Sequence, residues 1–237
     1  MGLSHSPSIT ADGLVLCLDA ANPRSYPGSG NSWLDLSGKG NNATTTSGFV
    51  FESNNNGIFT ISNMGNYANV VYNPQTYFAD QSWSWEVFWS GRIHPDVTVH
   101  NMPQIGYGAS SWPRLGIFRF ANGSCEFWSY NNNGHSSAFR FSISPANTGW
   151  IHSVVSADYE NSVVKGYYNG EYYNQKTGFP VIANNNSNFG IGRPGNTAAS
   201  WNETLQGSIS FVRIYNRALT PDEVLRNYLA TKSRFGL

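Results

Sequence analysis

The chain has 237 residues, a length that suits one large domain with a sizeable core. Fourteen Lys and Arg offset fourteen Asp and Glu, and only 12% of residues are charged, which excludes the electrostatic footprint of a nucleic-acid or anionic-membrane binder. No apolar run reaches the roughly 18 residues a membrane helix needs, and the opening Met1 to Ser8 lacks the basic and apolar regions of a secretory signal.

Residues 1–13 show no periodicity and read as an amino-terminal arm, leaving 14–237 as a single domain. Leu14 to Leu18 is a short continuous apolar run, the mark of a strand covered on both faces. Residues 19–30 form a loop, and 33–42 a set of turns in which Asp35 and Ser37 suit local hydrogen bonds and Gly38 and Gly40 positive φ. Weak strand signals span 49–60 and 61–71, interrupted by Asn54, Asn55, Asn56 and Gly57. The Asn triplet recurs at 131–133 and 184–186, each time between strand candidates, so turn chemistry accounts for it ahead of the alternative, a sugar-binding role.

Residues 82–90 carry the cleanest period-two pattern: Trp83, Trp85, Val87 and Trp89 share one face, and Ser84, Glu86 and Phe88 the other. A tryptophan row in a sandwich is core before it is a sugar platform. Glu86 then points to the opposite side, to bind something or to meet solvent. Residues 91–113 form the longest irregular segment and hold His94, His100 and Trp112, making it the first candidate binding region.

Asn122-Gly123 and Asn169-Gly170 each lie between strand patterns and predict two-residue hairpins. In the first, Phe120 would oppose Cys125 and Arg119 would oppose and pair with Glu126; in the second, Tyr168 would oppose Glu171 and Tyr167 oppose Tyr172. Residues 150–157 and 163–168 are two more strands, 189–192 another, and 193–201 a loop that brings Arg193, Asn196 and Trp201 toward the rim.

The last segment holds a strand, a sharp exit and a capped helix. Ile209 and Phe211 alternate with Ser208 and Ser210, then Val212 and Ile214 take the opposite parity, so the strand bulges or is buried on both faces, with Arg213 and Tyr215 toward the wetter side. Thr220 as N-cap, Pro221 and Glu223 make a capping box, and Leu219 with Val224 a hydrophobic staple. Val224, Leu225, Tyr228 and Leu229 would form the apolar stripe lying on a sheet, and Arg234 and Phe235 would anchor the tail.

The run QGSISFVRIYNRALTPDEVLRNY resembles the closing motif of laminin-G-like domains of the concanavalin A-like superfamily, as do GWIHSVVSADYENSVVKGYYNGEYYN and FGIGRPG. The segment GLVLCLDAANPRSYPGSGNSWLDLSGKGNNAT is similar to the first strand and turn of the subset found in phage virion proteins. The resemblance implies an all-β jelly-roll sandwich of two antiparallel sheets with one short C-terminal helix. It also implies a virion structural protein, decorating a capsid or associated with a tail, made in the host cytoplasm, contacting other virion proteins or its own copies, with host-surface glycan binding as a further role. Calcium, which relatives bind through an aspartate and loop carbonyls, would fall to Asp19, Asp35 or Asp80; otherwise no cofactor is expected.

The glucanases of the superfamily use a Glu-x-Asp-x-x-Glu strand, where alternate carboxylates share a face, and this sequence has no such run. Its histidines show no zinc spacing, and no nucleophile elbow, phosphate loop or dinucleotide fingerprint occurs. Cys17 and Cys125 read as buried free thiols. The expectation is a non-enzymatic protein, with Trp112, His100, Arg193, Asn196 and Trp201 as candidate ligand-binding residues. The alternatives are a carbohydrate-binding adhesin, which needs an exposed aromatic beside carboxamides on a concave surface, and a divergent hydrolase, which needs two carboxylates about 5 Å apart.

Overall fold

Alternation along Trp83–Gly91 builds a nine-residue strand whose residues are buried on both faces. The computed structural model describes residues 8–61, 66–70, 81–91, 102–110, 112–119, 123–130, 137–145, 149–179, 189–193, 195–197 and 205–237. His94, His100, His135, Asp80 and Trp201, and the Asn triplets at 131–133 and 184–186, lie outside these residues. In chain order the strands are β1 (Leu14–Asp19), β2 (Ser32–Trp33), β3 (Ala43–Thr45), β4 (Phe49–Glu52), β5 (Ile58–Ile61), β6 (Ala68–Val70), β7 (Trp83–Gly91), β8 (Met102–Ser110) and β9 (Trp112–Arg119). They continue as β10 (Cys125–Tyr130), β11 (Ser137–Ser144), β12 (Trp150–Asp158), β13 (Val163–Tyr168), β14 (Glu171–Thr177), β15 (Phe189–Ile191), β16 (Gly195–Thr197) and β17 (Gly207–Tyr215), before the helix α1 (Pro221–Leu229).

Two sheets face each other. The first runs β14-β13-β12-β7-β17-β5-β4 with β1 also on β17, the second β11-β10-β9-β8-β15-β6-β3-β2 with β16 on β8. Apart from the parallel β16–β8 contact, the ladders among the described residues are antiparallel. Between them lies an aromatic core: Trp83 and Trp85 meet Phe127 of the facing sheet at 5.6 and 6.3 Å, and Trp85 meets Phe189 edge-on at 5.3 Å. Each ring contributes on the order of 2 kcal/mol by burial alone.

The free edge of β1 is covered by the 35–41 turn. Cys17 N–H donates to Asp35 Oδ1, Leu36 N–H to the Cys17 carbonyl, and Ser37 Oγ and Asn41 Nδ2 to the Val15 carbonyl. The turn thus occupies edge groups that would otherwise be open to another strand.

The second hairpin has the predicted register, Tyr167 opposite Tyr172 and Tyr168 opposite Glu171, with Asn169 and Gly170 at φ 49° and 84°. The first does not. Ile117 is buried opposite Phe127, so Arg119 opposes Cys125 and Glu126 opposes Phe118, which puts Arg119 and Glu126 on opposite faces. Burial of the inner row decides the register, because a one-residue slip exchanges the two faces. Glu126 instead pairs with Arg140 of β11, whose guanidinium lies 4.3 Å from the Trp128 ring.

Part of the irregular segment 91–113 is strand β8. Its ladders to β9 and β15 on either side hold a glycine-rich run whose own strand propensity is low, and Pro103 sits at a register shift. Residues 195–197, expected as loop, add β16 beside it.

Candidate functional site

The outer face of the first sheet is where the structure departs most from expectation. Arg213 and Tyr215, expected toward water, are 2% and 0% exposed, and Glu86 is 0% exposed. All three sit beneath α1. Strand β17 does bulge, between Ile209 and Phe211, which turns Phe211, Arg213 and Tyr215 onto this face opposite Phe88, Glu86 and Ser84.

The capping box of α1 is complete: Thr220 Oγ1 accepts from Glu223 N–H, and Glu223 Oε2 accepts from Thr220 N–H. Ser84 and Ser156 fix the chain before it. Ser84 Oγ donates to the Arg217 carbonyl and accepts from Leu219 N–H, while Ser156 Oγ donates to the Leu219 carbonyl. Val224, Asn227, Tyr228 and Thr231, at i, i+3, i+4 and i+7, turn inward, whereas Leu225 and Leu229 are each 41% exposed. The predicted apolar stripe is therefore rotated, because the helix covers a carboxylate and needs a polar residue there.

That residue is Asn227. Its Nδ2 donates to Glu86 Oε2 at 2.9 Å and to Tyr215 Oη at 3.0 Å, and its Oδ1 accepts from Thr10 N–H at 2.8 Å. Glu86 Oε1 is met by Arg213 Nη1 and His152 Nε2, each at 2.8 Å. Burial alone would raise the Glu86 pKa, but Arg213 and the His152 and Asn227 hydrogen bonds overcome it and hold the carboxyl below its ordinary value. Burial first, and Glu86 beside it, keeps the Tyr215 phenol protonated. With every carboxylate oxygen engaged and no solvent exposure, Glu86 is a fastening of the helix rather than a reactive group.

The same outer face opens at its far end into a groove of about 800 Å³. Its floor is one row across four strands: Thr60, Ser208, Ser90 and Trp150, contributed in turn by β5, β17, β7 and β12. Thr60 Oγ1 and Ser208 Oγ lie 3.0 Å apart. Gly207 allows β17 to approach so closely here that a Cβ would meet the Ser90 carbonyl oxygen at 2.1 Å. One wall is the 3-10 turn Ser53–Asn55, with Asn55 and Asn56 exposed and Glu52 accepting from Asn55 Nδ2.

The other wall is the tail, a 3-10 turn over Lys232–Phe235. The Phe235 ring lies 4.2 Å from Trp150 and 4.6 Å from Phe88. Both terminal nitrogens of Arg234 reach the Asp19 carboxylate at 3.1 Å, and Nη2 also donates to Ser210 Oγ and the Asn56 carbonyl. Arg234 and Phe235 thus anchor the tail to the body, as expected. The groove presents half-buried aromatic rings, hydroxyls and carboxamides on a concave surface, the mix that ligand pockets use for orientation and specificity.

Of the five candidates named from sequence, Arg193 is not among the groove's described lining residues, and His100 and Trp201 lie outside the described residues. The backbones of Trp112 and Asn196 belong to the second sheet, where β16 runs beside the end of β8 that leads into the β9 strand begun by Trp112. Arg193 follows β15 and holds its guanidinium 5.7 Å from the Tyr67 ring. Of the calcium candidates, Asp35 accepts from Cys17, Ser37 and Asn41 N–H and from Ser37 Oγ, and Asp19 accepts from Arg234 and Ala21. Among the described residues no cluster of three His, Cys, Asp or Glu has metal-binding proximity. Both cysteines are buried thiols outside any disulfide; burial pushes the Cys17 thiol up to about 11.

Residues 65–225 match a laminin-G family model described as the concanavalin A-like lectin/glucanases superfamily. The chain belongs to that superfamily. Solved structures similar to this concanavalin A-like domain include the binding domain of Paraclostridial Mosquitocidal Protein 1, with 17% identity over 92% of this chain and 52% of that one, at a TM-score of 0.68. The botulinum neurotoxin serotype D binding domain gives 15% identity, 93% and 52% coverage and a TM-score of 0.67. Trypanosoma rangeli sialidase in complex with sialic acid gives 19%, 94% and 33%, and 0.63. The chain therefore spans about half the length of these toxin domains and a third of the sialidase, and the likeness establishes the shared fold. No curated protein matches the sequence.

Proposed function

We propose that this domain is a non-enzymatic carbohydrate-binding module that works as a structural component of a virion, on a capsid or a tail. The observation that carries the binding role is the groove: Trp150, backed by Phe235, stands at the end of a hydroxyl row with Asn55, Asn56 and Gln206 among the other lining residues. An aromatic ring accepts the C–H-bearing face of a pyranose, and carboxamides and hydroxyls pair with its hydroxyls in either direction. The non-catalytic role is supported by the groove's described lining, in which Glu52 is the single carboxylate, whereas glycoside hydrolysis ordinarily uses a pair.

A glycan array with the intact protein tests the binding role. Trp150→Ala is expected to abolish the signal and Trp112→Ala to leave it; the reverse would move the site to the second sheet. Retention of binding in a chelator is expected, and its loss would assign calcium to the site. The virion role is supported by the similarity of the first and last motifs to phage virion proteins and by the near-neutral charge. It predicts this chain in density-purified particles, cross-linked to other virion proteins or to its own copies, and absence from such particles overturns it.

A further inference from the structure

We infer that the groove selects uncharged, hydroxyl-rich sugars over acidic ones, and that Glu52 is the side chain that sets the preference; this rests on the carbohydrate-binding reading above. A sugar carboxylate is held most strongly by a cation that can turn its donors toward it, above all the bidentate fork of an arginine. The one cation among the groove's described lining residues is Arg234, and both its terminal nitrogens are engaged by Asp19, with Nη2 also on Ser210 and the Asn56 carbonyl. Turning it toward a ligand would leave Asp19, which is 19% exposed, without its ion partner.

Glu52 stands differently. It closes β4 at the lip of the groove, half-buried, and Asn55 Nδ2 engages its Oε2. Its Oε1 is left to accept from a ligand hydroxyl, a strong bond because the acceptor is charged. The same oxygen repels a carboxylate brought into the groove, so one residue supplies both the attraction to neutral sugars and the penalty on acidic ones. The remaining polar groups at the groove, Thr60, Ser90, Ser208, Gln206, Asn55 and Asn56, are uncharged and suited to hydroxyls.

Matched pairs that differ only at carbon 6, a hydroxymethyl in one and a carboxylate in the other, test this: methyl β-glucoside against methyl β-glucuronide, and methyl β-galactoside against methyl β-galacturonide, titrated calorimetrically into the purified protein. The neutral member is expected to bind about tenfold more tightly at low salt, with the gap narrowing as salt rises. Glu52→Gln should cut the preference to about twofold, by weakening the neutral member and relieving the penalty on the acidic one, and Trp150→Ala should remove binding of both members. Equal or tighter binding of the acidic member, or a preference that survives Glu52→Gln in protein with an unchanged melting temperature, overturns the inference while Trp150-dependent binding keeps the carbohydrate reading intact. Absence of binding by every member of both pairs sinks both.

Discussion

Strand β7 shows Trp83, Trp85, Val87 and Trp89 to one side and Ser84, Glu86 and Phe88 to the other, and all seven are fully buried. The inner side is sealed by the facing sheet through ring-on-ring contacts such as Trp85 with Phe189. The outer side is sealed by a nine-residue helix and a tail, where Phe88 stacks on Phe211 and Phe235 and Glu86 is held by Arg213, His152 and Asn227. An apolar core gains from area alone and tolerates some variation in detail. A buried carboxylate demands that each partner be present, so the outer side depends on single atoms.

The largest effects should come from breaking either side. Trp85→Ala is expected to destabilise the fold by about 3–5 kcal/mol, read from urea unfolding. Glu86→Leu should cost about as much, because Arg213 is then left buried without its anion, yet the pair Glu86→Leu with Arg213→Met should recover much of that loss. No comparable rescue exists for the tryptophan, and a double variant as unstable as the single one would mean the outer cluster is more than an ion pair sealed by a helix. Acid should act on the outer side. Glu223, bonded first to Arg217 and then to Thr220, has its pKa lowered from 4.5 to about 2, and Glu86 is lowered as well. A depressed carboxylate contributes stability above its unfolded pKa and loses it on acidification, so the thermal midpoint should hold above pH 4.5 and fall toward pH 2. Glu223→Gln should make that fall shallower. The smallest effect is the cap itself: Thr220→Ala should cost about 1 kcal/mol by the same unfolding measurement.

Much of this was legible locally. The capping box, the Asn169-Gly170 turn and the inward tryptophan row each depend on residues within a few positions of one another, and all three form as read. The register of the first hairpin was not, since it follows from burying Ile117 against the far sheet and not from the turn residues. The groove escaped for a similar reason. Its floor takes one residue from each of four strands spread between Thr60 and Ser208, and its walls join Asn56 to Arg234, 178 positions apart. The available signals were the Asn triplet beside Gly57, where turn chemistry outweighed a sugar-binding role, and the aromatic-basic tail, which read as an anchor.

Sequence by itself determined the class of fold, because period-two patterning and turn residues specify strands and hairpins through short-range sterics and face-by-face burial. What it left open is the environment of side chains such as Glu86, Arg213 and Tyr215, whose alternation places them on the outer face and whose burial depends on Asn227 arriving from a distant helix. Tertiary structure decided that environment, and with it the position of the groove, because a polar side chain goes inside only where the packed chain supplies its partners.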